Sequence, residues 1–392
     1  MSVKLWTSIA ASTLLVACGG GGGGGSSSGG TANDACSGLN SASFNCATSL
    51  RSVVDNAVKP AVNNLQGLVG TLNTTTQAYC ADITNDANKT AAQNAWKAAM
   101  AEWQKLEVMQ FGPIAEQRSN FYNWNRNDSC KVDEEVVNST ANGYQLTNNV
   151  EPVRFSLDAL DYLLFTGSSN VSCPEVNKTA ALRTWDAQDE ATRLAERCNY
   201  TQLATAHMVN NVAALKTAVD NYDIGTSANL QTAADGISDG LFYIDKQTKD
   251  AKLTAVFPTS NAGIFTLSAL EFDARNPYGK EAIQANLEGA LALMDNGLDD
   301  YLTAAGEPEV AARMKASLQT AIDATAAISG DIRSIVTGAD AATCINAASD
   351  ASELEKVCSL DEKIKDFTDD LKGEFVLTLG FSVPNDAQGD ND

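Results

Sequence analysis

Apolar residues recur at three- and four-residue spacing through most of this chain, and only eight prolines interrupt the pattern. That period is the signature of one buried helical face, and it leaves little room for a sheet. Ala95, Ala99, Trp103 and Leu106, with Trp96 beside them, line a helix expected from about 89 to 111, which Gly112-Pro113 ends. Leu157, Leu160, Leu163 and Leu164 repeat the pattern, and further helices are expected near 50–79, 174–222, 228–246, 280–304, 307–328 and 352–375. Only Phe375–Val383 alternates as a strand would. The fold class predicted is all-α, built of packed bundles.

An internal echo sharpens this. Phe155-Ser156-Leu157-Asp158-Ala159-Leu160-Asp161-Tyr162 returns as Phe265-Thr266-Leu267-Ser268-Ala269-Leu270-Glu271-Phe272. Two related up-and-down helical bundles packed together follow, over 48–225 and 226–376, with a tail over 377–392. Glu271 would be the counterpart of Asp161, the two facing a shared groove.

The first 47 residues read differently. Lys4 precedes an uncharged run, Leu5–Ala17, of signal-peptide length and too short to span a bilayer. Leu15-Val16-Ala17-Cys18 resembles the bacterial lipobox, in which the cysteine is lipidated and becomes the N-terminus. Residues 1–17 are therefore expected to be a signal peptide. Residues 18–47 are expected to be a lipid-anchored Gly/Ser tether and cysteine-containing lead-in, the Gly/Ser stretch spanning about 20 Å as a flexible coil. Gly19 after Cys18 resembles an outer-membrane address. The expected place is the cell envelope, on the outer membrane and facing the periplasm or the cell surface, with the membrane as a partner through Cys18.

Composition removes several functions. The net charge of −22 argues against nucleic acid and against a basic membrane-docking patch. His207 is the only histidine, so no site in this chain can use two. Setting Cys18 aside, eight cysteines remain, an even number that reads as disulfides in an exported chain. Cys36–Cys46 and Cys344–Cys358 are the simplest local pairs, with thiolate metal ligation the alternative. No GxSxG, Walker A or EF-hand loop is present, and GxGxxG matches only inside the glycine tether.

In order along the chain, these residues resemble the imelysin family of bacterial surface and periplasmic proteins. Its tryptophan-bearing early helix ending in Gly-Pro is matched by Trp96, Trp103, Glu107 and Phe111-Gly112-Pro113. Its GxHxxE motif falls on Ser156 to Asp161, followed by Tyr162-Leu163-Leu164-Phe165-Thr166-Gly167. An Ala-Asn-Leu-Glu-Gly run is Ala285–Gly289, and a Leu-Gly-Phe run is Leu379-Gly380-Phe381. The resemblance implies an all-α body of two related bundles facing the envelope. It also implies a link to iron uptake and, for the namesake, a metallopeptidase using the motif's His and Glu. Here the motif's Gly is Ser156, its His is Asp158 and its Glu is Asp161. No zinc His/Glu site is expected.

Ser156, Asp158, Asp161, Glu271 and Glu107 are the site residues that this reading selects, with Asp158 and Asp161 the metal-ligand candidates and no catalytic residue assigned. Asp158 and Asp161 stand three apart, on one helical face. Crowded carboxylates raise a pKa and attract a cation, and oxygen ligands suit a hard ion or iron. The plainer reading makes Ser156 an N-cap and Asp158 a helix-dipole partner. Glu107 is either solvated or buried against Arg118 or Arg154. His207 is expected to be structural or exposed. Three functions compete: a non-catalytic, lipid-anchored binding protein for a small ligand or envelope protein, an imelysin-type metallopeptidase, and a structural or protein-interaction module.

Overall fold

The computed structural model describes residues 36, 41, 44–124, 126, 128–224, 227–345, 350–379, 384 and 387. The expected signal peptide, Cys18, the Gly/Ser stretch and most of the C-terminal tail lie outside the described residues. Among the described residues the chain is helical, with no strand.

The helices of the first part are α1 (Cys46–Val53), α2 (Lys59–Ala81), α3 (Asp86–Glu107), α4 (Pro113–Gln117), α5 (Ser129–Ser139), α6 (Leu157–Phe165), α7 (Ala180–Asp186) and α8 (Glu190–Asp220). They are followed by α9 (Ser227–Tyr243), α10 (Gly279–Leu293), α11 (Asp299–Ala304), α12 (Pro308–Ala326), α13 (Ile332–Val336), α14 (Ala341–Ile345), α15 (Glu353–Cys358), α16 (Leu360–Asp370) and α17 (Val376–Leu379). Wider π turns continue α1 into α2, extend α9 over Ile244–Ala251, and join α16 to α17. Helix starts carry side-chain caps that satisfy otherwise orphaned backbone amides: Asn85 for α3, Asp128 for α5 and Asp189 for α8.

α3 is the central element. It packs against α2 and α6 on one side and α10 on another, and Trp96 and Trp103 are fully buried in it. Trp96 Nε1 donates to Leu157 O at 2.8 Å, which ties α3 to the first residue of α6. Trp103 stacks on Phe121 with ring centroids 4.6 Å apart. The close crossing of α3 and α10 depends on Gly289, where a Cβ would stand 2.5 Å from Lys105 O. Gly297, at φ +143°, kinks the chain between α10 and α11 against α1, and its carbonyl accepts from Ser49 Oγ at 2.5 Å.

All eight described cysteines form disulfides: Cys36–Cys46, Cys80–Cys198, Cys130–Cys173 and Cys344–Cys358. The two local pairs are those expected from spacing. Cys80–Cys198 ties α2 to α8. The strand-like reading of the C-terminal end does not hold where it can be seen: the helix runs through Phe375 and Val376 to Leu379. Phe375, Val376 and Leu379 are buried while Leu377 is exposed. That spacing serves a helix on the core better than an isolated strand with no partner. Residues 380–383 lie outside the described residues. No helix among the described residues is long and apolar enough to cross a membrane.

Candidate functional site: an acidic cavity at the start of α6

α6 begins where Leu157 N donates to Phe121 O at 2.8 Å and Trp96 holds the Leu157 carbonyl. Leu157, Leu160 and Leu164 then go into the core. The remaining face puts Asp158, Asp161 and Tyr162 on a cavity of about 390 Å³, which Leu267, Leu270, Glu271, Phe272, Arg275 and Arg333 also line. Asp158, Asp161 and Glu271, selected from sequence, therefore line one cavity.

The echo did not act as expected. Leu157–Phe165 is an α-helix, whereas Leu267–Ala269 is one 3₁₀ turn and the chain then becomes extended at Leu270. Arg333 Nη2 donates to the carbonyls of Leu267 and Phe272, removing acceptors that a helix would use. Pro277 disfavours a helical Asn276 before it. Glu271 thus reaches the cavity from irregular chain, not from a helix matching α6.

Asp158 and Glu271 are each half satisfied. Asp158 Oδ1 accepts from Ser156 Oγ at 2.7 Å and from Asn123 N at 3.3 Å, while Oδ2 has no hydrogen-bond partner. Burial raises the Asp158 pKa to about 6, against the opposing bonds from Ser156 and the backbone; the charge of Glu107 adds to the rise. Asp161 Oδ1 accepts from Asn276 Nδ2 at 2.7 Å. Its pKa is raised to about 7, again chiefly by burial, with Asn276 and Arg275 opposing and Asp273 and Asp158 adding. Glu271 Oε1 accepts from Tyr122 OH at 2.8 Å and Gln104 Nε2 at 3.0 Å and pairs with Lys252 Nζ at 3.1 Å; Oε2 has no hydrogen-bond partner. Lys252 is enclosed by Gln104 Oε1 at 2.6 Å, Asn286 Oδ1 at 2.9 Å and the rings of Trp124 and Tyr243.

Ser156 stands at the N-cap position of α6, yet its hydroxyl serves Asp158 instead of capping a backbone amide. Glu107 does not reach this cavity, and its solvated reading is overturned. It is fully buried and accepts from Trp103 Nε1 at 2.7 Å, Arg118 Nη2 at 3.0 Å and Tyr243 OH at 2.5 Å. Arg118 is its partner; Arg154 instead pairs with Glu134 and Glu135. Glu107 is buried because it lies one turn beyond Trp103 on the face that α3 turns inward. Arg118 lines a second cavity of about 780 Å³, and Trp124 lines both.

His207 lies elsewhere, 2.7 Å from Asn148 Oδ1 and edge-on to Phe155, and burial lowers its pKa. Among the described residues no three His, Cys, Asp or Glu side chains gather closely enough to hold a metal ion. The donor set does not fit the His/Glu metal site that the family resemblance implies, because Asp158 replaces the imidazole and one oxygen each of Asp158 and Asp161 already holds a protein donor. Sequence reading missed Tyr122, Trp124, Lys252, Arg275 and Arg333. Tyr122, Trp124, Lys252 and Arg275 stand in loops or beyond helix ends, and Arg333 in the first turn of the short α13.

The fold and cavity define an all-helical protein with a buried acidic site at the head of a short helix. The family profile described as Imelysin matches residues 59–366, and the chain belongs to that family. An imelysin-like protein from Psychrobacter arcticum shares the fold with a TM-score of 0.62 at 18% identity, over 86% of this chain and 96% of that one. A protein from Parabacteroides distasonis, assigned as an iron-regulated protein A precursor, does so with a TM-score of 0.57 at 14% identity, over 84% and 95%. No curated protein sequence matches the chain.

Proposed function

We propose that this imelysin-family protein is a non-catalytic binding protein of the bacterial envelope that takes a cationic ligand in the cavity of Asp158, Asp161 and Glu271. The observation that carries the reading is that these three carboxylate residues line one cavity, two of them with an unpartnered oxygen. Buried carboxylate oxygens without donors are costly, and a bound cation offsets that cost. The motif's imidazole is replaced by Asp158, which takes away the nitrogen ligand of a zinc peptidase and adds negative charge.

Leu15-Val16-Ala17-Cys18 and the glycine run support attachment through a lipidated Cys18 on the outer membrane. The four disulfides suit an oxidising compartment. The name of the Parabacteroides protein supports an iron-regulated setting. A peptide-cleavage assay with and without chelator tests the non-catalytic part. Background cleavage in both is expected, and chelator-sensitive cleavage by the wild type would overturn it.

A further inference from the structure

Asp158 Oδ2 and Glu271 Oε2 are the chemically distinctive feature of the cavity. Both atoms are buried and without a hydrogen-bond partner, on residues 7% and 5% exposed that line the cavity. The other oxygen of each is fixed by protein donors: Ser156 and Asn123 for Asp158, and Tyr122, Gln104 and Lys252 for Glu271. Neither carboxylate can therefore turn a second oxygen toward a shared point without breaking bonds.

A bare hard cation draws six or more oxygens to a common centre at about 2.0–2.6 Å. The described residues offer no cluster of three ligating side chains. A protonated amine has different needs. Its three N–H groups point apart, and each takes one acceptor at about 2.7–2.9 Å. The rest of the cavity suits a carbon chain: Trp124, Val132, Val153, Leu270 and Phe272 line it. A volume of about 390 Å³ is far more than one ion fills, and it falls within the range of small organic ligand sites.

Resting on the cation-binding reading above, we infer that the ligand is a small organic cation: a protonated primary amine on a short aliphatic chain, its ammonium paired with the carboxylates of Asp158 and Glu271. The apolar wall holds the methylene groups. Asp161 adds a third carboxylate to the same cavity.

Calorimetric titration of the mature protein with 1,4-diaminobutane tests this, with tetramethylammonium, 1,4-butanediol, Ca²⁺, Mg²⁺ and Fe²⁺ as parallel probes. The diamine is expected to bind at one site. Tetramethylammonium has charge but no N–H and the diol has no charge, so both are expected to bind at least about tenfold more weakly. Asp158→Asn and Glu271→Gln are each expected to weaken the diamine by about tenfold or more while the circular dichroism spectrum is kept. If Glu271→Gln unfolds because Lys252 loses its partner, Asp158→Asn and the probe series on wild type still decide. Divalent binding without diamine binding overturns the amine assignment and leaves the pocket reading standing. Equal binding of diamine and tetramethylammonium also overturns it. Binding of no cation at all overturns both.

Discussion

Lys252 Nζ lies 3.1 Å from Glu271 Oε1, and both side chains are out of contact with solvent. The pair sits directly behind the cavity, since Glu271 lines it and Lys252 is capped by Trp124, another lining residue. A buried ion pair fixes geometry more than it stabilises, but breaking one partner away is costly. Lys252→Met is expected to destabilise the fold by about 3–5 kcal/mol, because Glu271 would be left charged and buried. Glu271→Gln should cost less, because Gln104 and Asn286 still accept from Lys252. The double variant should recover part of the loss. Urea unfolding of the three variants checks the order.

The acidic cavity sets a pH dependence of stability. Asp158 and Asp161 have folded pKa values raised to about 6 and about 7. Between about pH 4 and those values the folded state holds more protons than the unfolded chain, so stability falls as pH rises, and it levels off above them. Asp161→Asn removes one of these groups while keeping its size. It should raise stability at pH 8 by on the order of 2 kcal/mol and flatten the slope between pH 4 and pH 7. Denaturant midpoints across that range would show it; an unchanged slope would mean that the carboxylate is solvated.

The disulfides differ in expected weight. Cys80–Cys198 closes a far longer stretch of chain than Cys36–Cys46, 118 residues against 10. In the chain-entropy account longer loops lose more on opening. Replacing Cys80 and Cys198 by serine should cost about 4 kcal/mol, and the Cys36/Cys46 double variant visibly less. Thiol titration of the exported, denatured, non-reduced protein should find no free thiol among these eight cysteines.

Much of this molecule was legible in the sequence. Helical periodicity located nearly every long helix, since apolar spacing is imposed by the core itself, and Trp96 and Trp103 stood out as core for the same reason. Local cysteine pairs followed from spacing, while Cys80–Cys198 depends on how α2 and α8 pack and has no local signal. The site was half legible. Asp158 and Asp161 were found because they stand at the family motif's His and Glu positions, one helix turn apart, and Glu271 through the echo. The backbone at Glu271 had no signal inside the echoed segment, because Arg333 and Pro277, both outside it, decide it. Lys252 and Trp124 belong to no pattern, and only tertiary packing brings them behind Glu271. Glu107 stayed open between solvated and buried because a lone carboxylate on a helix carries no sign that a Tyr243 far along the chain will enclose it.

The envelope attachment has its own test. Intact-mass analysis of the membrane-fraction protein should show acylation at Cys18, and Cys18→Ser should abolish it and leave the signal uncleaved at that site. An unlipidated wild type would remove the anchor from the account.

The central claim is that the cavity at the head of α6 is the ligand site. It is met most directly by equilibrium dialysis of wild type and the Asp158→Asn, Asp161→Asn double variant against labelled 1,4-diaminobutane and against Ca²⁺. The account predicts that the wild type binds a cation at one site. It also predicts that the variant keeps its melting behaviour at low pH and that its cation binding falls to background. Undiminished binding by a folded variant would place the ligand elsewhere and contradict the account.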